Sequence, residues 1–314
     1  MVGDTARYGR SLSEKVLRVF EETVSHEKYV YLREDWEGTD VEPGDIVHVT
    51  GVFDINSGVC ILDNTANNYI IVHPDTLISG TTIAGATRCL RRSILNERFR
   101  TEDANEAMLM GTLLHDLFDR AMKSNDFSHD ALLCAVQGLL EQFTYLDGFY
   151  GLGMTECDAL NKVKELLPAF SEWAWRYVCD LPDPDLSTMD YKDGSCDTGG
   201  TEMPSVCVSQ LRDIEENVWS PRFGLKGKVD ATVEVKIDRR PMSRRHRPGM
   251  DNHLTTASVP LELKTGKLFS KLGSVEHRAQ VILYTLLLSD RYRHGIDTGL
   301  LYYMKSGHTI GVPA

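Results

Sequence analysis

Between residues 28 and 75 the apolar positions come in short β-branched and aromatic runs, at 29–32, 46–49, 51–53, 59–62 and 69–72. Gly44-Asp45, Asn56-Ser57-Gly58 and Asp63-Asn64 separate them with turn chemistry. Five short strands in so little chain predict a small OB-like barrel over 28–76, preceded by a helical or tail segment at 1–27. Pro74-Asp75 and Ser79-Gly80 mark the boundary to a second region, 77–314. There the period turns helical. A helix is predicted over 83–96, opened by Thr81 and Thr82. A strongly amphipathic one spans 105–123, carrying Met108, Leu109, Leu113, Leu114, Leu117 and Phe118 on one stripe. Helices follow at 129–145 and at 156–178, the second broken by Pro168. The Asp-, Gly- and Pro-rich stretch 181–204 reads as a surface insertion. Strands at 205–212, 227–236 and 258–264, a helix over 275–292 and a strand at 299–304 complete the pattern, with a basic exposed loop at 238–253. The fold class is α/β (α+β), a mixed central sheet flanked by helices.

Composition narrows the class of protein. The 314 residues are 42% hydrophobic and 25% charged, an ordinary globular balance. The longest apolar run, 281–288, is interrupted by Thr285 and is far short of the roughly 20 residues a membrane span needs. The first twenty residues carry Asp4, Arg7, Arg10, Glu14, Lys15 and Arg18, so no signal peptide is visible and a soluble, intracellular chain is expected. The formal net charge of −12 removes a whole-chain basic footprint. The charge is uneven, however. Arg88, Arg91, Arg92, Arg98 and Arg100 form one basic strip, and Arg239, Arg240, Arg244, Arg245 and Arg247 form another. Each is either a solvated face or a grip on a phosphate backbone. The seven scattered cysteines include no C-x-x-C pair, which argues against a disulfide framework or a closed zinc site; most are expected to be buried small hydrophobes.

The chemistry concentrates in 223–230 and 260–267. Asp230 projects from one apolar strand; on another, Glu262 and Lys264 are two residues apart and so share a face. Two carboxylates with a lysine beside them can hold Mg²⁺ or Mn²⁺ and present a cation to a reacting phosphate. Gly224, Gly227 and Gly266 would permit close backbone approach. The bland alternative is a pair of edge-strand acids in water, or in ion pairs with Lys228 or Lys264. Company favours the chemistry: Gly111-x-x-x-His115 shares one helix face, and Gln280-x-x-x-Tyr284 another.

The D…ExK pair, helical His and QxxxY resemble the RecB-type branch of the PD-(D/E)xK nucleases. Longer runs resemble the nuclease part of the eukaryotic replication helicase–nucleases that process Okazaki flaps and resected DNA ends. These are Trp219-Ser220-Pro221-Arg222-Phe223-Gly224-Leu225-Lys226-Gly227-Lys228-Val229-Asp230, Pro260-Leu261-Glu262-Leu263-Lys264-Thr265-Gly266-Lys267, Glu276-His277-Arg278-Ala279-Gln280, and Leu77-Ile78-Ser79-Gly80-Thr81-Thr82-Ile83-Ala84 leading into Arg88-Cys89-Leu90-Arg91-Arg92. The resemblance runs from about 28 to the end and is weakest between 124 and 212.

It implies a metal held by His115, Asp230, Glu262 and the carbonyl of Leu263, with Lys264 as catalytic lysine and Gln280 and Tyr284 as positioning residues. Arg88, Arg91, Arg92, Lys226 and Lys228 become candidates for DNA contact. It also implies single-stranded or flap DNA as substrate and a helicase domain in the same polypeptide. Replication protein A is the implied partner, no membrane is involved, and the location is nuclear, with the mitochondrion as a second compartment. Two departures stand out. The family's 4Fe-4S cluster uses four cysteines, of which Cys89 matches one and the others have no counterpart here. No G-x-x-x-x-G-K-[ST] occurs, so the helicase motif is missing. The chain therefore reads as a piece of a longer protein. The rival readings are a catalytically silent module that guides single-stranded DNA and an inactive truncated fragment.

Overall fold

The structure, a computed structural model, describes residues 2–314 except 9–11, 22–25, 66, 100–104, 184, 188–189, 192–203, 239–253, 267, 269 and 271. The chain divides into two units: residues 1–78 with 220–225, and 79–219 with 226–314.

The first unit contains β1 (Val2–Tyr8), β2 (Leu12–Phe20), β3 (Glu27–Arg33), β4 (Val47–Thr50), β5 (Val59–Leu62) and β6 (Tyr69–Val72). Its sheet order is β1-β2-β3-β5, antiparallel except for the parallel β3–β5 pair. Alternation builds the core. Val30 and Leu32 stand opposite Cys60 and Leu62, and all four are fully buried with Leu17 and Ile70 around them.

Two expectations are corrected here. The segment 1–27, read as helix or tail, forms two strands. Its spacing of Leu12, Val16, Leu17 and Phe20 fits either period, and pairing of β2 along β3 decides the matter. The OB-like barrel is also absent: β4 and β6 pair only with each other, and among the described residues no ladder closes the sheet. The expected strand at 51–53 is not formed. Asp54 beyond it accepts hydrogen bonds from the Asn56 and Ser57 N–H groups and the Ser57 hydroxyl, a local turn that competes with a ladder.

The second unit begins at Ser79, the last residue of β7 (Ile78–Ser79), and continues with α1 (Gly80–Ala86), α2 (Leu90–Arg98), α3 (Glu106–Ser124), α4 (His129–Leu140), α5 (Phe143–Gly151), α6 (Glu156–Lys164) and α7 (Leu167–Tyr177). Then come β8 (Asp190–Tyr191), β9 (Ser205–Ser220), β10 (Leu225–Asp238), β11 (Leu254–Lys264), α8 (Val275–Tyr292), β12 (Thr298–Tyr303) and β13 (His308–Pro313). The sheet runs β7-β10-β11-β12-β13-β8, with β9 also on β10. β10–β11 and β12–β13 are antiparallel, whereas β11 and β12 are parallel and joined by α8. A parallel pair requires such a crossover, and α8 is thereby held against the strands that carry the acids. Gly299 on β12 admits it: a Cβ there would stand 2.4 Å from Val281.

Further differences from the sequence reading are local. The helix expected at 83–96 is two, because Thr87 turns its hydroxyl onto the Ala84 carbonyl and the chain breaks before Cys89. Ser79, not Thr81 or Thr82, caps α1. The 129–145 helix likewise splits, and Pro168 sits in the first turn of α7. The expected insertion contributes β8 to the sheet edge beside β13, with Ser187 fully buried; 192–203 lies outside the described residues. So does the basic stretch Arg239–Arg247. Of the described cysteines only Cys60 and Cys207 are buried. Cys134, for instance, falls off the Leu132–Val136–Leu139 stripe of α4 and is exposed. No described helix is long and apolar enough to cross a membrane.

Candidate nuclease site

Helix α3 opens on Asn105, whose side chain accepts from the Met108 N–H, and ends on Asn125 in the left-handed region. Its apolar stripe places Phe118 among Phe127, Phe170, Trp173 and Tyr302, with ring centroids 5.0–5.9 Å away. Trp173 is tied in turn to Thr309 by its indole N–H at 3.1 Å. This packing fixes the register of the helix, and His115, one turn earlier, is thereby set against β10.

Asp230 on β10 and Glu262 on β11 lie beside one another, since Ala231 pairs with Leu261 on the next rung. One Asp230 oxygen accepts the Leu263 N–H at 2.8 Å; the other is 3.5 Å from His115 Nδ1. Burial pushes the Asp230 carboxyl up, but the bond and charge of His115 and the Leu263 N–H outweigh it and leave the acid below its ordinary range. His115 responds in kind: burial lowers it, Asp230 and then Glu262 raise it, and the net shift is upward.

Glu262 is the buried member, with 2% of its surface exposed. Its Oε1 accepts from Lys264 Nζ and from Gln280 Nε2, both at 2.7 Å. Lys264 also donates to Gln280 Oε1 at 2.9 Å, and Gln280 Nε2 donates to the Tyr284 hydroxyl at 3.0 Å. Gln280 thus uses one acceptor and both amide protons to tie lysine, acid and tyrosine together. Gln280 and Tyr284 share a buried face of α8, four residues apart. Gly227 makes room for them, since a Cβ there would stand 2.9 Å from the Tyr284 ring and 2.8 Å from Leu287; Gly266 has open space around it. Burial raises the Tyr284 hydroxyl well above its ordinary range, so it stays neutral.

The other oxygen, Glu262 Oε2, is buried without a hydrogen-bond partner. Burial first, then the Asp230 charge, lifts this carboxyl against the pull of Lys264. A buried acid oxygen in that condition is satisfied by a proton or by a cation. The donor chemistry of an imidazole and two carboxylates, one oxygen of them orphaned, fits a hard divalent ion. Among the described residues no three His, Cys, Asp or Glu side chains are already drawn together closely enough to hold one. The expected fourth donor, the Leu263 carbonyl, lies on β11 between Glu262 and Lys264.

A cleft of about 360 Å³ leads to this cluster, lined by Ser79, Asn217, Trp219, Lys226 and Lys228 and reaching Asp230, Gln280 and Tyr284. Lys228 is ion-paired with Glu215; Lys226 has no partner among the described residues. Arg88, Arg91 and Arg92 are exposed around the start of α2 and make no described contact with the carboxylates. Cys89 is exposed there too, with Leu90, Ile94, Leu95 and Phe99 leaving an uncovered apolar face. The described cysteines do not fit a four-thiolate cluster: they are dispersed, and no group of three metal-binding side chains includes any of them.

Two participants escaped the sequence reading. Asp119, one turn beyond His115, is buried, and its carboxyl is pushed up to about 6 by burial, opposed by Lys123 and reinforced by Asp230. The i, i+4 spacing from His115 was its signal. His277 shares 2.7 Å with the Tyr303 hydroxyl, and burial and then the Lys264 charge lower it. Tyr303 is paired with Lys264 across the β11–β12 ladder, a proximity with no local sequence signal.

Acids on neighbouring strands, a lysine two residues on, and a crossover helix that closes over them with a glutamine define the RecB-type form of the PD-(D/E)xK nuclease core. The sequence profile of the family described as DNA replication factor Dna2 matches residues 21–235, and the chain belongs to that family. It is 40% identical over 316 residues to the mouse DNA replication ATP-dependent helicase/nuclease DNA2, covering 99% of this chain and 28% of that protein. The human counterpart is 38% identical over 295 residues, covering 93% of this chain and 26% of its own length. The Arabidopsis thaliana helicase/nuclease JHS1 is 38% identical over 300 residues, covering 95% of this chain and 21% of its own. The chain thus spans about a quarter of the length of these relatives.

Proposed function

We propose that the second unit is a divalent-metal-dependent endonuclease core that hydrolyses phosphodiester bonds in single-stranded or flap DNA, as in Okazaki-fragment processing and DNA end resection. The observation that carries this reading is Glu262: a carboxylate buried beside a second one, with one oxygen clamped by Lys264 and Gln280 and the other orphaned. His115, Asp230, Glu262 and the Leu263 carbonyl would hold Mg²⁺ or Mn²⁺, which when bound supplies Lewis-acid stabilisation of the charge that develops on the phosphate. Lys264 presents its ammonium to the same charge, and Gln280 keeps that ammonium from swinging away. Tyr284 stays neutral and fixes the amide orientation of Gln280. Lys226, Lys228 and the strip Arg88, Arg91 and Arg92 would hold the strand by its backbone. On this reading the helicase part named in the relatives delivers the strand, replication protein A is the partner on single-stranded DNA, and the setting is the nucleus or mitochondrion.

The test is cleavage of an end-labelled flap oligonucleotide with Mg²⁺ or Mn²⁺, with circular dichroism on the same samples. Asp230→Ala and Glu262→Ala are expected to lose about 10²-fold or more in cutting while keeping the wild-type spectrum. A well-folded Glu262→Ala protein that cuts at near wild-type rate overturns the assignment.

A further inference from the structure

Trp219 stands at the end of β9 with 72% of its surface exposed. Indole is among the costliest side chains to leave in water, and on a surface it commonly has something to stack on. Isolated exposed apolar residues are ordinary, so the exposure by itself assigns nothing. Its surroundings do. Alternation along β9 buries Val218 and Ser220 and turns Asn217 and Trp219 outward together. On the partner strand β10, Lys226 and Lys228 are outward in the same way, followed by Asp230. All five side chains line the cleft of about 360 Å³ that ends at Gln280 and Tyr284. An aromatic face, a polar amide and two lysines therefore line one cleft together with Asp230.

We propose that Trp219 is the stacking platform for one unpaired nucleobase of the strand that enters this cleft, and that it restricts the site to single-stranded DNA. The inference rests on the nuclease reading for the identity of the strand. Lys226 attracts backbone phosphates, and Lys228, about 6.7 Å further along the strand and partly neutralised by Glu215, adds a weaker pull. Phosphates alone would admit a duplex as readily as a single strand. An indole offers a flat surface that an unstacked base can cover, whereas in the interior of a duplex both faces of each base are already taken. The cleft has room for about one nucleotide. The Asn217 amide lies on the same face, within the same cleft, and gives the base edge a donor and an acceptor.

The experiment uses the full chain in EDTA, so that binding is read without cleavage. Tryptophan emission and anisotropy are followed as a labelled oligothymidylate, an abasic strand of the same length, or a duplex is added. Oligothymidylate should quench emission strongly and the abasic strand weakly. Trp219→Phe should remove most of the quenching while keeping much of the affinity. Trp219→Ala should weaken oligothymidylate binding about ten-fold and leave abasic-strand binding unchanged. The proposal falls if Trp219→Ala binds oligothymidylate as the wild type does, if quenching persists in Trp219→Phe, or if the wild type binds no single strand. It also falls if Trp219→Ala changes only the association state on a sizing column, which would make the residue a protein contact. Glu262→Gln separates the two readings. Quenching that survives in this variant while cutting is lost supports both. Quenching together with undiminished cutting removes the carboxylate assignment and leaves the stacking site standing.

Discussion

At the scale of single residues, the site stores its chemistry in one buried acid. Burial and the neighbouring Asp230 charge raise the Glu262 carboxyl to about 8 in the cation-free protein, despite Lys264. The folded state then binds a proton that the unfolded state releases near 4.5, so stability is present below that value and is lost as pH rises towards 8. His115, also raised, acts in the same direction. Urea unfolding in EDTA should therefore show stability falling between pH 5 and 8. Glu262→Gln should flatten that slope, and parallel slopes for the two proteins would sink the argument. Lys264→Met is expected to lower turnover by about 10²–10³-fold, because its ammonium is one aimed charge, while single-strand affinity is retained; a drop in affinity matching the drop in turnover would make Lys264 a binding residue instead. Two-residue strand spacing and four-residue helix spacing made Glu262 with Lys264, and Gln280 with Tyr284, legible as shared faces. That Asp230 and His115 join them was legible only through the family resemblance, and the fold brings the six side chains together. Asp119 was not legible, because an acid on a helix ordinarily faces water, and its i, i+4 spacing from His115 gains meaning only once His115 is set beside Asp230.

Among the elements, β10, β11 and α8 were readable from their periods and β12 from its short unbroken apolar run. Of β9 only 205–212 was, because Asp213-Ile214-Glu215-Glu216-Asn217 is too polar to read as strand. The N-terminal strands were not, because Leu12 to Phe20 satisfies both periods and only the partner β3 selects one. β13 was missed because Gly311 and Pro313 interrupt its short apolar run, residues that ordinarily mark turns rather than strands. The contact that most depends on a single element is α8 on β10. Gly227 lets the Tyr284 ring and Leu287 approach to distances that a methyl group would occupy. Gly227→Ala should cost about 1–3 kcal/mol by overpacking. Because Tyr284 is bonded to Gln280, the displaced helix should also loosen the clamp on Glu262 and Lys264. Cutting should then fall further than the small loss of folded protein explains. Activity and urea midpoint measured on one preparation decide this, and a loss of stability with full specific activity would show that α8 shifts without disturbing Gln280.

For the whole molecule the governing quantity is charge. A chain of net −12 repels a polyanion at long range, so any affinity for DNA must come from local cationic groups that overcome the average. Lys228 is partly neutralised by Glu215, which leaves Lys226 and the exposed Arg88, Arg91 and Arg92 as the principal described candidates. Each phosphate neutralised on a single strand contributes about 0.7 to the slope of log affinity against log salt. If the three arginines follow the backbone, replacing all three with alanine should reduce that slope by about 2. Affinity should fall steeply at low salt and far less at high salt, where screening has already removed the attraction. Their side chains are exposed and no described bond of theirs supports the fold, so the triple variant should unfold at the wild-type urea concentration. The measurement is oligothymidylate binding in EDTA from low to moderate salt, with Lys226→Ala as the comparison expected to change the slope by about 0.7. A triple variant whose salt dependence overlays the wild type would return the arginines to a solvated helix face, and would leave the cleft lysines to hold the strand against the charge of the whole chain.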